Sequence, residues 1–188
     1  MKYLKPINEI WGPILKRDLL GETREEDKIR SIEELRDYII SEIDRQGKNV
    51  VIRNLDISSI EDVCWLFSGR HDLESIDLSG WKTSNVTDMN NMFFDCRKIK
   101  SINLSGWDTS NVKNMGALFW NCRNLESLDL SGWDTSNVNT IREMFYNCEK
   151  LESLDLSGWD TSNVTDMRYA FSNCPAPYEV IDNKIVKK

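Results

Sequence analysis

The sequence holds a single histidine, His71, and only four prolines, and none of its five cysteines forms a Cys-x-x-Cys pair. Finger-type zinc sites need cysteine and histidine pairs at short spacing, so this pattern excludes them. A glycine-rich phosphate loop is missing, and no cysteine or aspartate stands near His71 at a catalytic spacing. No apolar run approaches the roughly 20 residues that cross a bilayer. Positive charge is in deficit: 24 lysines and arginines face 31 aspartates and glutamates, a net charge of −7. Such a chain has no general attraction for nucleic acid or anionic lipid. Asn8, Glu9, Lys16, Arg17 and Asp18 interrupt the apolar stretch that a secretion signal requires. The chain as written is therefore expected in the cytoplasm, with the cell surface as the alternative if a signal or anchor lies outside it. Its 188 residues, 40% of them hydrophobic, suit one folded domain, alone or with a small appendage.

What the sequence has in abundance is itself. Leu73-Glu-Ser-Ile-Asp-Leu-Ser-Gly-Trp81 returns as Ile99–Trp107, Leu125–Trp133 and Leu151–Trp159, each copy 26 residues after the last and without a gap. Thr-Ser-Asn-Val follows every time and ends at Val86, Val112, Val138 and Val164. A Phe-x-x-Cys block closes each unit at Phe93/Cys96, Phe119/Cys122, Phe145/Cys148 and Phe171/Cys174. One step further back lies a worn copy. Val50, Ile52, Leu55, Ile60, Val63, Leu66 and Phe67 keep the apolar positions while the polar ones drift, as in a capping repeat. A fixed period of this length means a stacked array, since one unit cannot bury its apolar face alone.

Each unit reads as strand, turn and short helix. Ile76 and Leu78 share one strand face, with Ser75, Asp77 and Ser79 on the other. Gly80 breaks the strand. Asn85 suits a helix N-cap, and Val86, Met89, Met92 and Phe93 then fall at helical spacing over about two turns, α or 3₁₀. The expected fold is thus an α/β repeat solenoid: a leucine-rich-repeat-like right-handed array with a parallel sheet, a helical N-terminal cap and a C-terminal β-hairpin cap. Residues 1–46 form the helical cap, 47–174 the five-unit solenoid with a degenerate first unit, and 175–188 the capping hairpin. In the cap, Ser31-Ile-Glu-Glu34 fits a capping box. Ile32, Leu35, Ile39 and Ile43 make an apolar stripe, and Gly47 stops the helix. Leu4, Ile7, Ile10, Trp11, Ile14 and Leu15 suggest earlier helical pieces, and residues 21–26 a solvated connection. Tyr178–Ile181 and Lys184–Lys187 pair through Asp182-Asn183.

The motif Leu-Asp-Leu-Ser-Gly-Trp-Asp-Thr-Ser-Asn-Val, as at Leu128 to Val138, followed in the repeat by Met-x-x-Met-Phe-x-x-Cys, as at Met89 to Cys96, resembles the BspA-like leucine-rich repeat of bacterial surface proteins. The stretch from Ser31 to Phe67 resembles the segment that opens such arrays. The likeness covers about three quarters of the chain. It implies a leucine-rich-repeat solenoid and a role in binding or adhesion, usually outside the cell, and it carries over no catalytic residue. The chain is shorter than the usual family member.

The repeated side chains divide into core and surface. Trp81, Trp107, Trp133 and Trp159 are expected as an internal ladder, because aromatic burial is large. Cys96, Cys122, Cys148 and Cys174 are expected as buried thiols, since stacked equivalents have parallel Cβ vectors that suit neither a disulfide nor tetrahedral coordination. Cys64 is taken as one more core thiol, and His71 as a loop residue. Two rows remain as partner-binding candidates. Phe94, Trp120 and Tyr146 share one position off the core face, with Ser68 and Ser172 at its ends. Asp77, Asn103, Asp129 and Asp155 point outward from successive strands among small serines. With no catalytic cluster, metal set or cofactor motif, the expectation is a non-enzymatic module. It would bind a protein partner as an intracellular inhibitor or adaptor, with a bacterial cell-surface adhesin as the alternative. Neither direct nucleic-acid binding nor membrane insertion is expected, and an end-to-end dimer is left open.

Overall fold

A computed structural model describes residues 28–182 and 184–187. The expected helical pieces between Leu4 and Leu15, the connection at 21–26 and Asn183 of the hairpin turn lie outside the described residues.

Helix α1 spans Ile32–Gln46. Ser31 is its N-cap, with a hydroxyl that accepts the Glu34 N–H at 3.2 Å. The Glu34 carboxylate reaches back one residue further than in a capping box and accepts the Arg30 N–H at 2.8 Å. Gly47, at φ 76°, ends the helix and donates its N–H to Ile43 at 2.8 Å. Leu35, Tyr38, Ile39 and Ile43 turn into the core, as the apolar stripe predicts.

Five three-residue strands follow: β1 (Asn49–Val51), β2 (Ser75–Asp77), β3 (Ser101–Asn103), β4 (Ser127–Asp129) and β5 (Ser153–Asp155). They form one parallel sheet in chain order. The register is the sequence period itself: Val50 pairs with Ile76, Ile76 with Ile102, and Leu128 with Leu154. The middle residue of each strand is buried and its neighbours face outward, as a period of two requires. A hairpin of β6 (Tyr178–Ile181) and β7 (Lys184–Lys187) closes the chain. The architecture is a repeat α/β solenoid, and each 26-residue unit is one coil of it.

No coil contains the expected short helix. Residues 89–96 form consecutive tight turns whose N–H groups alternate in direction. Those of Met92, Phe94 and Cys96 bond three residues back, to Met89, Asn91 and Phe93. Those of Met89, Asn91, Phe93 and Asp95 leave the coil and bond to Asn114, Gly116, Leu118 and Trp120 of the next one, at 2.7–3.0 Å. A helix would aim all its N–H groups along its own axis; here half of them turn sideways and tie coil to coil. Left-handed backbone every fourth residue makes this possible, at Asn91 (φ 58°) and Asp95 (φ 62°) and again at Asn121 (φ 60°) and Asn147 (φ 57°). Asparagine and aspartate visit that region most readily after glycine. Val86, Met89, Met92 and Phe93 are buried all the same, because the turns and a helix place the same residues inward.

Asn85 is likewise not an N-cap. Its side-chain amide donates to the Ser58 carbonyl of the preceding coil at 2.6 Å, and Asn111, Asn137 and Asn163 repeat the bond to Ser84, Ser110 and Ser136. The buried Thr83 hydroxyl works the other way. It donates to the Asp108 carbonyl and accepts the Asp108 N–H, both at 2.9 Å. The recurrent Thr-Ser-Asn is therefore a two-way clasp, threonine reaching forward and asparagine back.

Inside, equivalent side chains stack in columns. Phe67, Phe93, Phe119, Phe145 and Phe171 run parallel with centroids 5.2–5.7 Å apart. The thiols of Cys96, Cys122 and Cys148 donate to the carbonyls of Phe67, Phe93 and Phe119 at 3.1–3.2 Å. Burial pushes the Cys96 thiol up to about 12, and Cys122 and Cys148 well above the ordinary thiol value. Trp81, Trp107 and Trp133 are buried and Trp159 is half-buried. Trp81 stacks on Trp107 at 5.7 Å, and the indole N–H groups of Trp81, Trp107 and Trp159 donate to Ile52, Leu78 and Leu130 at 2.5, 2.8 and 3.1 Å.

The regularity slips between the third and fourth coils. Strands β3 and β4 pair only through Ser101 and Ser127, where their neighbours pair through three residues. Gly80 and Gly106 sit at φ 71° and 80°, but Gly132 and Gly158 leave the left-handed region.

Both sheet edges are covered. On β1, the Gln46 side-chain amide imitates a strand: it accepts the Val51 N–H at 2.7 Å and donates to the Val51 carbonyl at 3.0 Å. Past β5, the Leu156 N–H meets the Tyr178 hydroxyl at 3.4 Å, and Tyr178, Val180 and Ile185 of the hairpin pack against the core.

Replacing Trp107 by alanine removes a buried indole, its stacking partner and a made hydrogen bond. The expected loss is roughly 3–5 kcal/mol of unfolding free energy in denaturant titration. Near-parental stability would contradict the internal ladder.

Candidate functional site

The aromatic row predicted from the repeat exists and is longer than expected. Phe94 and Trp120 stack at 4.4 Å and 4°, and Trp120 and Tyr146 at 5.7 Å and 6°. All three are half-buried. Trp65, 52% exposed, extends the column by contact with Phe94 at 5.4 Å and 53°. The sequence comparison of units points to Ser68 at this place; the ring arrives instead from three residues earlier, a shift that strict repeat alignment hides. Each ring is carried by a rigid turn. The N–H groups of Phe94, Trp120 and Tyr146 bond to Asn91, Ala117 and Glu143 at 3.0, 3.1 and 3.1 Å. Coil-to-coil bonds then fix the spacing. Tyr169, 60% exposed, occupies in the last coil the position that Trp65 has in the first.

The carboxylate row has a structural occupation. Oδ1 of Asp77, Asn103, Asp129 and Asp155 accepts the N–H two residues on, at Ser79, Ser105, Ser131 and Ser157, at 2.9–3.1 Å. These are Asx turns that bend the chain out of each strand. Two further corners use the same device in most coils, as Asp134 to Ser136 and Asp166 to Arg168 illustrate.

Charge pairing at equivalent repeat positions changes along the solenoid. In the first coils Asp77, Asp56 and Glu74 are matched: Arg53 with Asp77 at 2.6 Å, Lys82 with Asp56 at 2.8 Å, and Glu74 between Lys48 and Lys100 at 3.2 and 2.9 Å. In the later coils Glu126, Asp129, Asp134, Glu152, Asp155 and Asp160 are exposed, and none is in an ion pair among the described residues.

His71, read from sequence as a loop residue, lies with Nε2 2.9 Å from Oδ2 of Asp95. The Arg97 guanidinium beside Asp95, aided by Asn121 and His71, holds that carboxyl well below the usual carboxylate range. Cys64 is half-buried rather than core, and its thiol donates to Asp88 at 2.9 Å. Among the described residues, no group of three or more His, Cys, Asp or Glu is placed to hold a metal ion. No helix there is long and apolar enough to cross a membrane.

Coils tied by their own backbones, with rows of equivalent side chains outside, define a repeat solenoid, the class of a binding or structural module. The family profile described as "Mycoplasma protein of unknown function, DUF285" matches residues 39–128 and again 93–184, and the chain belongs to that family. Comparison with curated proteins gave no match, and neither did comparison with solved structures.

Stability should fall in acid. Burial alone would raise the Asp56 carboxyl, but Lys82 and Ser58 outweigh it and hold it at about 2 against an ordinary 3.8; Arg168 holds Asp166 at about 2. The unfolded chain therefore takes up these protons first. The contribution is whole above the ordinary value and is lost as pH drops from there toward about 2. Denaturant midpoints should decline through this window and less so in Asp56→Asn. A flat profile would refute the assignment.

Proposed function

We propose that the chain is a non-enzymatic protein-binding module whose contact surface is the aromatic column Trp65–Phe94–Trp120–Tyr146. The column itself carries the reading. Its three stacked members spend their faces on one another and leave ring edges outward, on turns already fixed before a partner arrives. Preordered aromatics lose little freedom on binding, which is why such residues dominate interface energetics. The unmatched carboxylates of the later coils add attraction for a basic partner and a faster encounter. In an intracellular setting the module acts as an inhibitor or adaptor. The resemblance to BspA-like repeats supports the second setting, in which the same column serves adhesion at the cell surface.

The test is capture by the immobilised full chain from an extract of the source cells and, in parallel, from extracellular matrix proteins. Trp120→Ala and Tyr146→Ala should keep a cooperative melt while weakening capture about tenfold or more, the scale of an aromatic hot spot. Equal capture by parent and both variants would remove the column from the interface. The source that yields the column-dependent partner decides between the two settings.

A further inference from the structure

The slip between the third and fourth coils opens a cleft of about 420 Å³, bordered by Ile102, Leu104, Gly106, Trp107, Asp129 and Trp133. Its size falls in the range that holds small ligands. Two buried N–H groups beside it lack the partners their counterparts have. The Trp133 indole is 4% exposed, yet its N–H makes no hydrogen bond among the described residues, although Trp81, Trp107 and Trp159 all donate to a carbonyl 29 residues earlier. The missing acceptor would be Leu104, which also borders the cleft. The Leu104 N–H is unbonded too, where Leu78 and Leu130 donate to Asn103 and Asp155 at 2.9 and 3.3 Å. Buried polar groups without partners are rare and costly.

We infer that this cleft is a binding site for a peptide amide carrying an apolar side chain. An amide offers the carbonyl oxygen that the orphaned N–H groups need, and an N–H for the second lone pair of the Leu104 carbonyl, which already accepts the Trp107 N–H at 3.3 Å. Ile102, Leu104, Trp107 and Trp133 line space for an apolar body. Asp129 at the rim uses Oδ1 on Ser131 and belongs to the unmatched acidic strip, so a cationic neighbour on the ligand is favoured over an anionic one. This site is separate from the aromatic column and does not depend on it.

The probe is an N-acetylated, C-amidated Leu-Lys dipeptide titrated into the full ¹⁵N-labelled chain, with the Leu-Glu analogue as comparison. The Trp133 indole resonance should shift saturably while those of Trp81 and Trp159 stay in place, and Leu-Glu should bind more weakly. Trp133→Phe keeps the ring but removes the donor, and the Leu-Lys response of the remaining cleft resonances should be lost. Without ligand, Trp133→Phe should lower the melting temperature less than Trp107→Phe, because only the latter breaks a hydrogen bond already made. The inference is overturned if Trp133 fails to respond up to the solubility limit. It is overturned equally if the response survives in Trp133→Phe, or if the free protein already protects the Trp133 indole N–H from exchange.

Discussion

Everything in this molecule depends on hydrogen bonds that connect one coil to the next at a constant step. On the strand side they are a parallel ladder, with Ser75 opposite Ser101 and Ser127 opposite Ser153. On the turn side they are the alternate N–H groups of residues 89–95 and their equivalents. Buried backbone groups must be satisfied somewhere. A chain that satisfies them across coils gains rigidity along its axis and cannot change its step locally without leaving donors stranded. The columns of phenylalanine and thiol follow from that step, because rings about 5.5 Å apart stack only when their backbones are held in register.

The same constraint explains how surface and core are divided. Inward positions must suit the coil above and the coil below, which keeps Phe93, Cys96 and Val86 nearly invariant from unit to unit. Outward positions answer only to neighbours on their own row. The row at Phe94 is therefore where binding properties can vary with least cost to the array, whereas the Asp77 row is tied to its Asx turns. The ends are the exception. There the ladder has no next coil, and side chains stand in for it, the Gln46 amide at β1 and the Tyr178 hydroxyl past β5.

The period, the strands, the parallel register, the core, the helix from Ile32 and the C-terminal hairpin were legible in the sequence, because repetition and apolar spacing determine them together. The helix assigned to residues 86–93 was not. Turns and helix bury the same four residues, so apolar spacing does not separate them. A signal did exist, since Asp95, Asn121, Asn147 and Asn173 recur one per coil at a left-handed position. Its companion position holds Asn91 and then Ala117, Glu143 and Tyr169, and the last three carry no such preference. Of the candidate surfaces, the aromatic row was found by alignment, but Trp65 escaped because it enters the column from a different place in its unit. The ionic match of the first coils and the bare carboxylates of the later ones depend on which side chains meet across 24 to 26 residues, as Arg53 meets Asp77 and Lys82 meets Asp56.

The forward-and-back clasp of threonine and asparagine has an evolutionary corollary. Each interior coil offers its predecessor and its successor the same set of fittings, so Thr109 holds the coil after it as Thr83 does. A crossover that deletes or duplicates one whole unit in the gene therefore rejoins matching halves. Solenoid length becomes an inheritable variable decoupled from foldability, and a lineage can lengthen or shorten its display surface in single recombination events.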